Sequence, residues 1–468
     1  MPGSDDAPPP LAAPGRLGPR RELGPLTCLA LGLTTIVGSG IFALPPQLAA
    51  SLGPLSFLAF AGAAGVVSLI GLMTAEAAGT TDRAGGAYQY ARDAFGPAAG
   101  FGIAWVAWLN NVISWSVVAL ALVKLLDVLQ PGLGSGRNAQ WIATALIVAL
   151  GVVNAFGARP GAALSNALTV AKLVPLALFV VVGALAFQPA SFAGGAERLA
   201  AAGAGGFAVA VYRCIFAAGG FENVGVIAGE VRAPERTIPR AVLLSIAGST
   251  ALYALVQLAA TSSVPDLAAI APKEAPGSLA LPIAGERAAA ALGGAALGGA
   301  IRTVILLGAI VSMTGYCAGV ALVAPRYLFA MARDGFIPRA LVRTDARGAP
   351  VAAVLVVTAI AAASVWYADW LTLLDASVLF SLVQHAVTTL AAWRLRRVVP
   401  AKGRFIAPGG ALLPVLTLVS IVALCAFAFQ PAAGSEIAAK HFLWLLYVLL
   451  AGAAVALLSR LAARARPA

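Results

Sequence analysis

Twelve apolar stretches run along this chain, at about 26–52, 54–77, 97–128, 138–156, 164–187, 204–229, 239–262, 298–331, 350–367, 371–394, 411–430 and 441–460, separated by short polar or glycine- and proline-rich connections. A helix of ~20 apolar residues is enough to cross a bilayer. The pattern therefore predicts an all-α, polytopic membrane protein with twelve transmembrane helices. The first stretch is a poor helix at its middle, where Gly38 and Gly40 flank Ser39. Each glycine costs ~1 kcal/mol relative to alanine inside a helix. In lipid a freed backbone N–H or C=O has no water to bond. Such a break must line a cavity or meet something polar, unless the glycines only let helices pack closely. Two half-helices meeting at a break place N–H groups at one end and C=O groups at the other. Together they can hold a carboxylate and an ammonium a few ångströms apart, the shape of an α-amino acid.

The sixth stretch repeats the interruption. It reads Phe216-Ala217-Ala218-Gly219-Gly220-Phe221-Glu222, with the glycine pair again at the middle. The overlong stretches, 97–128 and 298–331, hold third place in spans 1–5 and in spans 6–10. Corresponding broken segments in two halves point to a repeat with a site at the membrane midplane, and an odd number of spans per half forces the halves to be inverted. That correspondence favours a binding role for Gly38–Gly40 over packing alone.

A few polar side chains lie inside spans. Asn110 and Asn111 sit near the centre of the third, so at least one faces the bundle interior, either to bond a neighbouring helix or to touch a substrate. Lys172 is the only charge in the fifth span. A lysine at depth is costly and usually has a partner and a task, although at this position its stem is at the limit of reaching the interface. Glu222 begins the second half of the sixth span. It either complements a helix N-terminus or serves as a proton-binding carboxylate in a pathway. Arg213, one turn before that break, should disfavour cations near the outer mouth, and with Glu222 the one acidic residue aligned to meet a cationic side chain, a neutral α-amino acid is the expected substrate.

Composition agrees with the span pattern: 60% hydrophobic, 11% charged, mean hydropathy +0.91. Lys and Arg are about threefold more abundant in the tails and even-numbered connections than on the opposite side, which puts both termini in the cytoplasm. The formal charge of +12 is thus a topology signal, and no basic, aromatic-interleaved patch suggests nucleic acid. The expected organisation is a disordered tail over 1–24, a first repeat over 25–190, a second over 204–397, and two further helices with a short tail over 398–468. Cys28, Cys214, Cys317 and Cys425 all fall within spans, so no disulfide-linked partner subunit is expected. Together with His385 and His441 they match no metal site. No enzyme motif, cofactor site or metal centre is found. The expected partners are a small amino acid and membrane lipid; oligomeric state is not readable.

The chain resembles the amino acid–polyamine–organocation transporters, in their bacterial amino acid permease branch. The resemblance rests on Gly38-Ser39-Gly40-Ile41-Phe42, Gly85-Gly86-Ala87-Tyr88, Phe221-Glu222 with Gly229-Glu230-Val231 and Pro234, Ile238-Pro239-Arg240, and Ala332-Arg333-Asp334-Gly335-Phe336-Ile337-Pro338. It implies a LeuT-type fold of five plus five inverted spans with the last two as an appendage, and alternating access around one substrate. It implies that Ile36, Ser39, Gly40, Phe216, Ala217 and Gly219 hold the amino acid's backbone groups, with Ile41 and Asn110 beside them and Phe216 as an aromatic gate. Lys172 matches a lysine that some members place where sodium-coupled relatives bind sodium. His385 falls where some relatives carry a tyrosine below the substrate, so Glu222 and His385 are expected to approach through a bridging water and close an inner gate, unless His385 is a core residue bonded to a helix carbonyl. The departures are Thr80-Thr81-Asp82 ahead of the glycine pair, where a proline is common, and Arg213. The expected function is that of a sodium-independent secondary transporter of α-amino acids in the inner (plasma) membrane, proton-coupled or exchanging. The alternatives are a polyamine or cationic amino acid antiporter and a non-transporting receptor on the same fold, against which the short tails argue.

Overall fold

The computed structural model describes residues 21–156, 158–270, 280–345, 348–366, 370–401, 403–428 and 439–464. Among these residues the chain is helical throughout, and its only β-type pairing is an isolated bridge between Leu23 and Val231. The first apolar stretch forms two helices, α1 (Pro25–Ile36) and α2 (Gly40–Leu52), with Val37–Ser39 between them. The first half continues with α3 (Phe57–Ala78), a short amphipathic α4 (Ala87–Phe95), the long α5 (Pro97–Leu129), α6 (Gly136–Ala155) and α7 (Ala158–Leu185). The second half opens with another broken span, α8 (Gly195–Ala218) and the single turn α9 (Asn223–Val226). It continues through α10 (Pro234–Ser263), α11 (Ala280–Arg333), α12 (Val351–Ser364) and α13 (Trp370–Val398). Two last helices, α14 (Leu412–Ala428) and α15 (Ala439–Arg464), complete the order.

Among the described residues eight helical stretches are long and apolar enough to cross a membrane, and one of them, Gly40–Ala78, runs α2 and α3 together. Four shorter apolar helices, Pro25–Ile36, Val351–Ser364, Leu412–Ala426 and Leu446–Ser459, stand where the hydropathy pattern places further spans. The two halves also share a detail the pattern did not reveal. α4 lies between the second and third spans of the first half. At the same place in the second half, α11 begins as a separate helix that kinks at Gly293 and Gly294 before the long span.

The sixth span differs from its expected form, because its second half is one turn rather than a half-helix. The ladder stops where Gly85 N–H takes the Val226 carbonyl at 2.9 Å. A short glycine-containing segment cannot offset the cost of helix nucleation once its carbonyls are diverted. One end of the bundle is held by ion pairs. Glu230 and Arg326, each only 4% exposed at the side chain, meet at 2.9 Å. Glu76 accepts from Arg396 Nε at 2.7 Å and from the Ala407 N–H at 3.0 Å. Arg92 reaches Asp334 at 3.0 Å, and Tyr88 donates to the same carboxylate. The four cysteines are free, three of them buried.

Candidate functional site

The two breaks meet. Thr35 Oγ1 donates to the Gly220 carbonyl at 2.9 Å, joining the last turn of α1 to the unwound backbone after α8. Gly220 sits at φ 110°, a left-handed value that a side chain would strain. Gly40 lies against Ala217. A Cβ on Gly40 would come within 2.7 Å of the Ala217 Cβ and 2.9 Å of its Cα. The small residues that made these stretches poor helices are thus what lets them cross.

The carbonyls at the end of α1 are orphaned by the break, and side chains from three other helices satisfy them. Lys172, fully buried on α7, donates through Nζ to Thr34 O at 2.9 Å and Val37 O at 2.5 Å. Ser312 of α11 donates to Val37 O at 3.0 Å. Tyr253 of α10 donates to Ile36 O at 3.1 Å. A cation at a helix C-terminus is the arrangement its dipole favours. Lys172 therefore does not reach the membrane surface; it closes the first break from behind. One turn further along α10, Gln257 donates to Pro45 O at 3.1 Å, beside the two prolines inside α2.

In front of the breaks lies a small cavity of about 40 Å³. Ile36, Ser39, Gly40, Asn110, Phe216, Ala217, Gly219 and Glu222 line it. Ile41, Lys172, His385 and Arg213 do not. Ile41 is fully buried in the core, one residue past the break. Ser114, Tyr316, Ser377 and Ser381 also line the cavity, and sequence reasoning passed over them. Ser377 and Ser381 are one helical turn apart, as are Asn110 and Ser114, and that spacing was the available signal. Asn110 Nδ2 donates to Ser381 Oγ at 3.0 Å, and the Ser114 and Ser377 hydroxyls lie 3.2 Å apart. Asn110 thus does both things its position allowed: it bonds across to α13 and faces the cavity.

Glu222 Oε2 accepts from the Gly220 N–H at 2.9 Å, so the carboxylate braces the second break. His385, 2% exposed, lies flat on the ring of the adjacent residue, Phe221, with centroids 5.2 Å apart and planes at 10°. Its Nδ1 has no hydrogen-bond partner in the protein. The contact between α13 and the second break is therefore aromatic.

Residues 23–453 match a family model described as amino acid permease. The chain belongs to the amino acid permease family of the amino acid–polyamine–organocation superfamily. Among its curated relatives, an uncharacterized transporter of Mycobacterium tuberculosis is 31% identical over 82% of this chain and 84% of its own length. The branched-chain amino acid permease BcaP of Bacillus subtilis is 26% identical, covering 70% of this chain and 71% of its own. The serine/threonine exchanger SteT of the same organism is 28% identical, covering 69% and 70%. In fold the permease is similar to the crystal structure of MhsT in complex with L-phenylalanine, with a TM-score of 0.61 and 13% identity over 88% of this chain and all of that one. The fold is of the LeuT type. This permease is thus a multi-pass membrane protein of a transporter family, and its relatives are transporters rather than enzymes.

Proposed function

We propose that this permease is a secondary active transporter that moves α-amino acids by alternating access, independently of sodium, as a proton symporter or an exchanger. The observation that carries this reading is the convergence of two broken helices on one cavity. The α-carboxylate is held by the unpaired N–H groups that begin α2 at Gly40. The α-ammonium is held by the carbonyls that end α8, around Phe216, with Ile36 at the wall beside them. Phe216, half-buried at the cavity wall, covers the bound molecule. The named relatives agree on amino acids and differ on the side chain, one being called a branched-chain permease and another a serine/threonine exchanger.

Sodium independence rests on Lys172. Its ammonium lies on the carbonyls of Thr34 and Val37 with the Ser312 hydroxyl beside it, an oxygen cluster that would otherwise suit a small cation. A second cation a few ångströms away would be opposed by several kcal/mol at an effective dielectric of ~20. Proteoliposomes given a panel of labelled amino acids should accumulate at least one of them when driven by a proton gradient or by exchange with trans-side substrate, at a rate indifferent to sodium. A steep rise with sodium at fixed pH and potential defeats the coupling assignment, and no uptake of any amino acid defeats the function.

The Lys and Arg asymmetry orients the permease in the plasma membrane with the ion-paired end and both termini in the cytoplasm. A cysteine added at the C-terminus should react with a membrane-impermeant thiol reagent in inside-out vesicles only. Labelling in intact cells reverses the orientation.

A further inference from the structure

The cavity has two kinds of wall. Backbone from the two breaks forms one. Side chains of α5 and α13, with Tyr316 of α11, form the other, and they are hydroxyls, amides and a phenol with the apolar Val118 and Val378 among them. The second wall carries no charge. Glu222 is the one carboxylate among the described lining residues, and one of its oxygens is already committed to the Gly220 N–H.

Three polar atoms of buried lining residues have no partner within the protein: Asn110 Oδ1, Asn223 Oδ1 and Ser39 Oγ. Their residues are 6%, 3% and 2% exposed. Asn110 is held in place by its own amide N–H bond to Ser381 Oγ. Two of the three atoms are amide oxygens, which only accept hydrogen bonds. A buried acceptor left unmatched is penalised, whereas one met by a donor is not. We infer that the bound amino acid has a neutral side chain with a hydrogen-bond donor, a hydroxyl or a carboxamide, which donates to Asn110 Oδ1 while the Ser377–Ser381 edge of α13 lies beside it. This rests on the amino acid transport reading above and narrows its substrate class. A hydrocarbon side chain of the same size fills the space and leaves the acceptors bare. A cationic side chain brings a charge for which the α5–α13 wall has no counterpart.

Threonine and valine separate the possibilities, because they differ by a hydroxyl in place of a methyl group at nearly equal shape. One net hydrogen bond is worth roughly tenfold in affinity, and a site built around a donor rejects its apolar isostere by more. Binding of L-threonine, L-valine, L-asparagine, L-leucine and L-lysine to the purified full-length permease would be measured by calorimetry, with exchange in proteoliposomes as the second readout. Threonine should bind at least ~10-fold more tightly than valine, and asparagine more tightly than leucine. In Asn110→Leu the threonine-to-valine ratio should collapse toward one, and Ser381→Ala, which frees the Asn110 amide to turn, should reduce it. The wild-type ratio alone decides the matter if a variant does not fold. Valine or leucine binding as tightly as its polar counterpart overturns the inference, as does lysine binding tightest; in both cases the transport reading stands. Binding of none of the five, with no exchange, overturns that reading and the inference with it.

Discussion

Arg326→Leu should lower the unfolding free energy by about 3–5 kcal/mol, because it strands Glu230 as an uncompensated buried charge. The two side chains are nearly inaccessible, and Arg326 also donates to the Leu322 carbonyl of its own helix. The double variant Arg326→Leu/Glu230→Leu should regain much of that loss, since replacing both members of a buried pair by apolar residues is often close to neutral. The recovered protein should still be poor at transport. The pair connects the segment after the second break to α11, and the alternating access proposed above needs that end to open and close as a unit. Thermal unfolding of the two variants in detergent, with exchange measured afterwards in proteoliposomes, reads both effects. Equal destabilisation of the single and double variants would mean that the pair's electrostatics are not what holds this end together.

The second large effect is expected at Lys172. Lys172→Met keeps the length of the side chain and removes the ammonium, leaving the Thr34 and Val37 carbonyls at the end of α1 short of a donor. Each such loss costs ~1–3 kcal/mol in a buried setting. Ser312 still covers Val37 and Tyr253 still covers Ile36, so the protein should fold with reduced stability. Transport should fall by at least about tenfold, because the break that α1 and α2 share would no longer be fixed. Lys172→Arg should not rescue it, since a planar guanidinium does not fit a fully buried site made for a compact ammonium. Initial uptake rates alongside melting temperatures separate lost function from lost folding. Normal uptake by the methionine variant would reduce Lys172 to a structural cap.

The breaks were legible in the sequence because glycine is conspicuous inside an apolar run, and because the same interruption recurs in both halves. The midplane lysine was legible for its cost. Its partners were not, since three helices from both halves converge on the end of α1, and no local pattern encodes that. Ser377 and Ser381 were missed for a related reason. A serine in an apolar helix is cheap, because it can bond back to its own helix, so it carries little signal until a facing residue such as Asn110 is known. Glu222 and His385 were legible as titratable groups inside spans. Two of their contacts were not: the stacking of Phe221 on the histidine ring and the bond from the Gly220 N–H to the carboxylate, since an aromatic ring and a backbone amide carry no signal of their own in an apolar run.

The bridge between Leu23 and Val231 bears on how the molecule can be handled. The Glu22 and Leu23 N–H groups both reach the Glu230 carbonyl at 2.9 Å, and the Arg232 N–H returns to Leu23 O at 3.0 Å. The lead-in to the first helix is therefore stitched, backbone to backbone, to the residue that pairs with Arg326. Anything attached ahead of Glu22 pulls on that stitch as on a lever, whereas anything attached beyond α15 hangs from the appendage. A tag or reporter at the amino terminus is a load on that stitch, and one at the carboxyl terminus is only a passenger.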